Sequence, residues 1–109
     1  MKFISRSEEF IMLAVWRLKE EAYAVTIREQ IQKVTGKTWA FGALFVMLNR
    51  LEKKGLLQSH LTDPLPKRGG RSKRIYTLSP EGIKALEEVR DVQTSVWTGI
   101  ENFSIKGRS

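Results

Sequence analysis

The segment Lys67-Arg68-Gly69-Gly70-Arg71-Ser72-Lys73-Arg74 carries five positive charges and no negative one. Guanidinium and ammonium groups around a pair of glycines suit one chemistry above others, contact with the phosphate oxygens of a polyanion. Seen alone, such a run is as often a solvated loop, so its surroundings must decide. They hold little else that reacts. There is no cysteine and His60 is the single histidine, which excludes a disulfide scaffold, a thiol nucleophile, a thiolate metal site and a multi-histidine site within one chain. No Ser-His-Asp set and no GxxxxGK[ST] loop is present, and Gly69-Gly70 lacks the strand-to-helix setting of a nucleotide loop. Glu81, Glu87, Glu88 and Asp91 read as the polar face of one helix, not as a catalytic pair. His60 reads as an ordinary strand residue. No metal, no cofactor and no enzymatic activity are expected.

The chain of 109 residues is 41% hydrophobic and 28% charged, the balance of one small globular domain. Nineteen basic against 12 acidic residues give a net charge of +7 and a pI near 10.0. A domain that basic pairs with nucleic acid or an anionic membrane surface. Residues 1–66 hold 10 basic and 7 acidic side chains, and residues 75–109 hold 4 and 5. The excess therefore sits in the glycine-centred segment. No apolar run approaches the ~18 residues of a membrane span and no signal-peptide core opens the chain. The expectation is a soluble cytoplasmic protein, nucleoid-associated when bound to DNA, with no membrane partner.

The elements that must position this segment follow from spacing. Ser5 and Glu8 form a capping box, and Phe10, Leu13, Ala14 and Leu18 continue as one stripe to about Glu20, with Trp16 expected in the core. Glu21 to Val25 break the stripe and suit a short extended piece. Thr26 and Glu29 have capping-box spacing before Ile27, Ile31 and Val34, with Gly36 closing a helix over 26–35. A third helix runs from 38 or 40 to 54 on Leu44, Met47, Leu48 and Leu51, closed by Gly55. Gly42, costly in a helix interior, fits the first turn and leaves room for another backbone. Residues 56–61 read as a strand, Pro64 and Pro66 end it, and 74–78 read as its partner. Ser79-Pro80-Glu81 starts a last helix. Ile83, Leu86, Val89, Val92, Val96, Ile100 and Phe103 extend one apolar face over 20 or more residues, ending in a frayed tail from Lys106.

The fold class is thus mainly α with a small β-hairpin (α+β). Helix, helix, helix, strand, basic loop, strand, helix is the order of a winged helix-turn-helix with a long C-terminal helix. In that arrangement the second helix braces on phosphate, the third enters the major groove, and the hairpin loop follows the backbone or reaches into the minor groove. The charge run then has a reason to be where it is. Residues 1–79 form the DNA-binding region and 80–105 a dimerisation helix of the same domain.

The run Gly42-Ala43-Leu44-Phe45-Val46-Met47-Leu48-Asn49-Arg50-Leu51-Glu52-Lys53-Lys54-Gly55-Leu56-Leu57 resembles the recognition-helix signature of the PadR family of bacterial transcriptional regulators. Gly69 to Gly82 is similar to that family's wing and the start of its last helix, and Ala22 to Ile27 to the lead into its second helix. The resemblance spans roughly residues 8–90. It implies a homodimeric repressor on two-fold symmetric operators, dimerised through the C-terminal helix. A long helix with a full apolar face on so small a domain points the same way, and half-site centres would lie about 34 Å apart. Many relatives carry tyrosine then proline where this chain has Phe45 and Val46. Phe45 lacks the hydroxyl and is expected as a packing residue.

Candidate DNA contacts are Thr26 and Arg28 on the second helix, Lys37 and Thr38 before the third, Asn49, Arg50 and Lys53 on it, and Arg68, Arg71, Lys73 and Arg74 in the wing. Asn49 either pairs with adenine or simply faces solvent, and Arg50 and Lys53 either touch phosphate or pair with Glu52. Candidate dimer residues are Leu86, Val89, Val92, Val96, Trp97, Ile100 and Phe103. Trp39 belongs to the core or an interface. Trp97 either packs in the dimer or borders a site for a small hydrophobic effector. A winged-helix adaptor for protein partners and a nonspecific nucleic-acid binder are the competing readings; the first predicts weak, sequence-indifferent DNA binding, the second steep salt dependence without a preferred site.

Overall fold

Ser5 and Glu8 open the first helix as their spacing predicts. In the computed structural model, which describes residues 4–62 and 72–100, the Glu8 amide donates to Ser5 Oγ at 3.1 Å and the Ser5 amide to Glu8 Oε1 at 2.8 Å. Helix α1 covers Arg6–Leu18 and runs into a 3-10 turn at Lys19–Glu21. Helix α2 follows at Ala24–Thr35, α3 at Phe41–Lys53, strands β1 at Leu57–Leu61 and β2 at Arg74–Leu78, and helix α4 at Pro80–Trp97. Strands β1 and β2 pair antiparallel, with Leu57 opposite Leu78 and Leu61 opposite Arg74. The Tyr76 amide also donates to the Ala22 carbonyl at 2.8 Å, so the expected extended piece is a single contact on the free edge of β2.

The core lies between α1, α2, α3 and the hairpin. Ile11, Met12 and Val15 meet Ile27 and Ile31, then Leu44, Leu48 and Leu51, and finally Leu56, Leu57 and Tyr76. Glu8 is buried among them, its Oε2 2.8 Å from Lys54 Nζ. Burial alone would push this carboxyl up, but the Lys54 bond and charge and the Ser5 bonds outweigh it and hold its pKa below 4.5.

Ser79 caps α4. Its Oγ accepts from the Gly82 amide at 3.0 Å and donates to the Gly55 carbonyl at 2.6 Å, while its own amide donates to the Leu56 carbonyl. The first turn of α4 is thereby pressed against the α3–β1 turn. Gly82 is required there, since a Cβ would stand 2.1 Å from the Leu56 oxygen.

Several expectations are corrected. Helix α2 begins two residues early, and Thr26 is its third residue, its Oγ1 accepting from the Tyr23 amide. Thr26 resembles an N-cap because hydroxyls bond local backbone from either place. Trp16 is 51% exposed, with Lys19 Nζ 3.7 Å over its ring, because it stands beside the buried stripe of Ile11, Ala14 and Val15. Phe45 is 45% exposed and lies outside the core cluster, its ring stacked on Phe41. Gly42 has no atom within 4 Å of a Cβ position, so no backbone approaches it. Helix α4 ends at Trp97, short of residue 105: Thr98 turns to ψ 130° and Gly99 to φ 87°. Residues 1–3, 63–71 and 101–109 lie outside the described residues, and with them Arg68, Arg71 and Phe103.

Candidate nucleic-acid interface

Two helices joined by a rigid turn set the geometry of the site. Gly36 ends α2 in the left-handed conformation at φ 78°, its amide donating to Gln32. Thr35 Oγ1 donates to Ile31 and accepts from the Lys37 amide at 3.2 Å. Lys37 and Thr38 follow, both exposed. Trp39 is half-buried against the core, and Arg28 reaches across from α2 to donate from Nε to its carbonyl at 2.6 Å. The same guanidinium lies 4.3 Å over the Phe41 ring. Arg28, half-buried, thus holds the start of α3 through Trp39 and Phe41.

Helix α3 buries Leu44, Leu48 and Leu51 and turns its opposite side outward. Gly42, Phe45, Val46, Asn49 and Lys53, spaced by three and four residues, share that outward side and are all exposed. Arg50 lies at its margin, also exposed. Ala40 stands at the N-cap of α3 with no side-chain oxygen to occupy the first-turn amides.

The hairpin closes the other flank. Thr62 and Lys73 exchange hydrogen bonds across its mouth: the Thr62 amide donates to the Lys73 carbonyl at 2.8 Å, and the Lys73 amide to Thr62 Oγ1 at 2.9 Å. Lys73 Nζ sits 3.8 Å over the Tyr23 ring at the start of α2. Arg74 Nη1 donates to Ser59 Oγ at 2.9 Å, and Ser59 Oγ donates to Glu52 Oε2 at 2.7 Å. This relay ties the hairpin to α3. Burial, and then the nearby Glu52 charge, raises the pKa of Tyr76 on β2 above its ordinary value.

Between these parts runs a cleft of about 400 Å³ lined by Tyr23, Ala24, Val25, Phe45, Asn49, Lys73, Arg74 and Tyr76. It brings together Asn49, Lys73 and Arg74 of the residues expected from sequence. Arg50 and Lys53 border an adjoining hollow with Val46, Asn49 and Lys54. Thr26 and Arg28 serve the frame: the Thr26 hydroxyl accepts from the Tyr23 amide and is turned toward the carbonyls of Glu21 and Tyr23. Tyr23, Phe41 and Phe45 also belong to the surface, although the sequence does not mark them for it. The amphipathic period of α3 carries the signal for Phe45, which falls outside the stripe of Leu44, Leu48 and Leu51.

The described residues contain no cluster of three or more potential metal ligands, and no helix among them is long and apolar enough to cross a membrane.

A family model of PadR-like transcriptional regulators matches residues 12–88. Among solved structures, a PadR-like transcription factor from Bacteroides fragilis is similar at 26% identity and a TM-score of 0.68, covering 83% of this chain and 82% of that one. A PadR family transcriptional regulator from Eggerthella lenta is similar at 25% identity, covering 87% and 80%, with a TM-score of 0.65. A PadR-like regulator from Bacillus cereus shares the fold at 21% identity, covering 88% of each chain, with a TM-score of 0.68. No curated protein matches the chain in sequence.

Proposed function

Because the chain belongs to the PadR-like family of transcriptional regulators, we propose that it is a repressor that binds a two-fold symmetric operator as a homodimer in the bacterial cytoplasm. It is a regulator and not an enzyme. The observation that carries the reading is the outward side of α3, exposed along its length and flanked by the cations of the hairpin. A helix so presented enters the major groove, where base edges display their donors and acceptors. Asn49 is the uncharged polar group on that side. Arg50 and Lys53 reach phosphate along one margin, and Lys73 and Arg74, with Arg68 and Arg71 in the wing, along the other. Lys37 and Thr38, exposed before α3, add contacts from the turn.

The dimer reading rests on α4, which buries only Gly82 and Ala85 fully among its residues. Ile83, Val92, Val96 and Trp97 are exposed beyond a third, as are Leu13 and Trp16 of α1. Leu86 and Val89 are half-buried beside them, and Ile100 follows past the helix. Leu13, Trp16, Ile83 and Leu86 border one groove of about 380 Å³ between α1 and α4. A second copy covers this face through a self-complementary contact. A small hydrophobic effector that altered the angle between the two DNA-binding heads would act here, beside Trp97.

The test is selection of genomic fragments by the purified protein at ~150 mM salt, where nonspecific contacts are weakened. Enrichment of an inverted repeat near a promoter is the expected result. Fragments without a shared site would overturn sequence-specific repression.

A further inference from the structure

At the centre of the outward side of α3, where a DNA-reading helix carries polar groups, this chain places a phenyl ring. Phe45 is 45% exposed and Val46 beside it 57%. Phe41, one turn earlier, stacks on Phe45 at 6.3 Å between ring centroids, and 45% of Phe45 remains exposed. On the other side Gly42 offers no side chain, and nothing comes within 4 Å of the space where one would stand. Asn49, one turn later, is exposed on the same side. Among the described residues, the cleft that Phe45 lines with Lys73 and Arg74 has no acidic side chain in its lining. An anion with an apolar group to set against the ring would match that lining.

In the major groove the four bases offer donors and acceptors, and thymine alone adds an apolar group, its C5-methyl. A phenyl ring can neither donate nor accept in the plane of a base edge. Against guanine, cytosine or adenine it would strip water from polar atoms and return no bond. Against thymine it buries a methyl. We propose that Phe45 is a specificity-determining residue that reads the C5-methyl group of a thymine in each half-site. Asn49 then supplies the hydrogen-bonding part of the readout and Phe45 the apolar part. This assignment rests on the reading of α3 as the groove-entering helix. The same methyl occurs on 5-methylcytosine, so the source of the group is settled by experiment.

The purified protein is used to select a binding site from a random-sequence duplex pool. The recovered duplex is then resynthesised with deoxyuridine in place of thymidine, one position at a time, which removes the methyl and leaves base pairing intact. The expected result is one position per half-site where uracil weakens binding about fourfold, the equivalent of ~0.8 kcal/mol for one buried methyl. Phe45→Ala binds the thymine duplex more weakly and no longer distinguishes thymine from uracil there, and Phe45→Leu keeps part of the distinction. Phe45 lies outside the core cluster, so both variants are expected to keep the parent's helical content, which circular dichroism checks. Equal affinity of the parent for thymine and uracil at every position overturns the proposal, and so does a Phe45→Ala variant that still discriminates. A duplex in which cytosine methylation sets the affinity while thymine does not overturns thymine as the source of the methyl. Failure to enrich any site is a different result: it removes the groove-reading function itself, and this assignment with it.

Discussion

Arg28 of the second helix donates from Nε to the main-chain oxygen of Trp39 at 2.6 Å, bridging the turn that aims the third helix. Its guanidinium carbon lies 4.3 Å from the centre of the Phe41 ring, a cation–π contact. A planar fork does both at once, and an ammonium group does not. Arg28→Lys, which keeps the charge, is therefore expected to cost about 1–2 kcal/mol of stability and to weaken duplex binding by misplacing α3. Urea unfolding and a binding titration check this. Unchanged stability in Arg28→Lys would return Arg28 to the role of a plain phosphate-contacting charge.

Two glycines predict opposite outcomes. Gly82→Ala forces a Cβ onto the Leu56 carbonyl, 2.1 Å away in the present backbone. The Ser79 bonds to Gly55 and Leu56 hold that backbone, so the first turn of α4 must shift. A loss of about 3 kcal/mol is expected. Gly42→Ala meets nothing and removes a poor helix former from α3, a gain of up to about 1 kcal/mol. Melting curves of the two variants that moved in the same direction would contradict this packing.

Legibility of the fold in the sequence follows the strength of its local chemistry. Ser5 with Glu8 and Ser79 with Pro80 mark helix starts because few other conformations use those groups together, and both helices begin where those residues put them. Thr26 misleads by two residues because a hydroxyl near a helix start bonds backbone whether it stands at the N-cap or at the third position. Trp16 misleads differently: size argues for burial, but a residue beside the stripe is buried only if another element covers it. The same limit hides Phe45. Periodicity puts it outside the core stripe, yet an apolar residue in a helix is read as packing until its neighbours are known. The charge run is legible as composition, while the links of Lys73 to Tyr23 and of Arg74 through Ser59 to Glu52 are tertiary and leave no mark on spacing.

Glu8 and Lys54 give a pH dependence with a definite sign. The folded protein holds Glu8 below its ordinary value of 4.5, so the carboxylate contributes stability above that pH. The contribution is lost as pH falls through the lower folded value. Lys54→Met removes the partner at 2.8 Å and leaves a buried carboxylate with Ser5 alone among those bonds. The cost at pH 7 is on the order of 2 kcal/mol, less than for a fully buried pair because Lys54 is partly in water. The stability difference between variant and parent should shrink as the buffer is taken from pH 7 toward pH 3. A difference that stays constant over that range would mean Glu8 is not the titrating group.

The wing charges are expected to act without regard to sequence. Arg71→Ala with Lys73→Ala is expected to weaken binding to every duplex alike. It should also reduce the slope of log affinity against log salt by about 2, near one unit for each phosphate that is no longer neutralised. Asn49→Ala should instead change which bases are preferred and leave the salt slope in place. An unaltered slope in the double variant would remove the wing from the interface, whereas an unaltered base preference in Asn49→Ala would leave that residue as solvent-facing polar surface.

The dimer prediction turns on α4. Val96 is 65% exposed and Val92 43%, so a charge at Val96 costs a lone protomer almost nothing. In a two-fold contact the cost is different, because the same substitution occurs on both partners and each new carboxylate is carried into an apolar face. Val96→Glu is therefore expected to leave helical content and the binding of a half-site duplex intact while shifting sedimentation from dimer to monomer. Affinity for the full symmetric site should fall by two orders of magnitude or more, since a monomer loses the second half-site and the effective concentration that links the two heads. A Val96→Glu protein that still sediments as a dimer would place the interface elsewhere. A parent that itself sediments as a monomer would overturn the solution dimer.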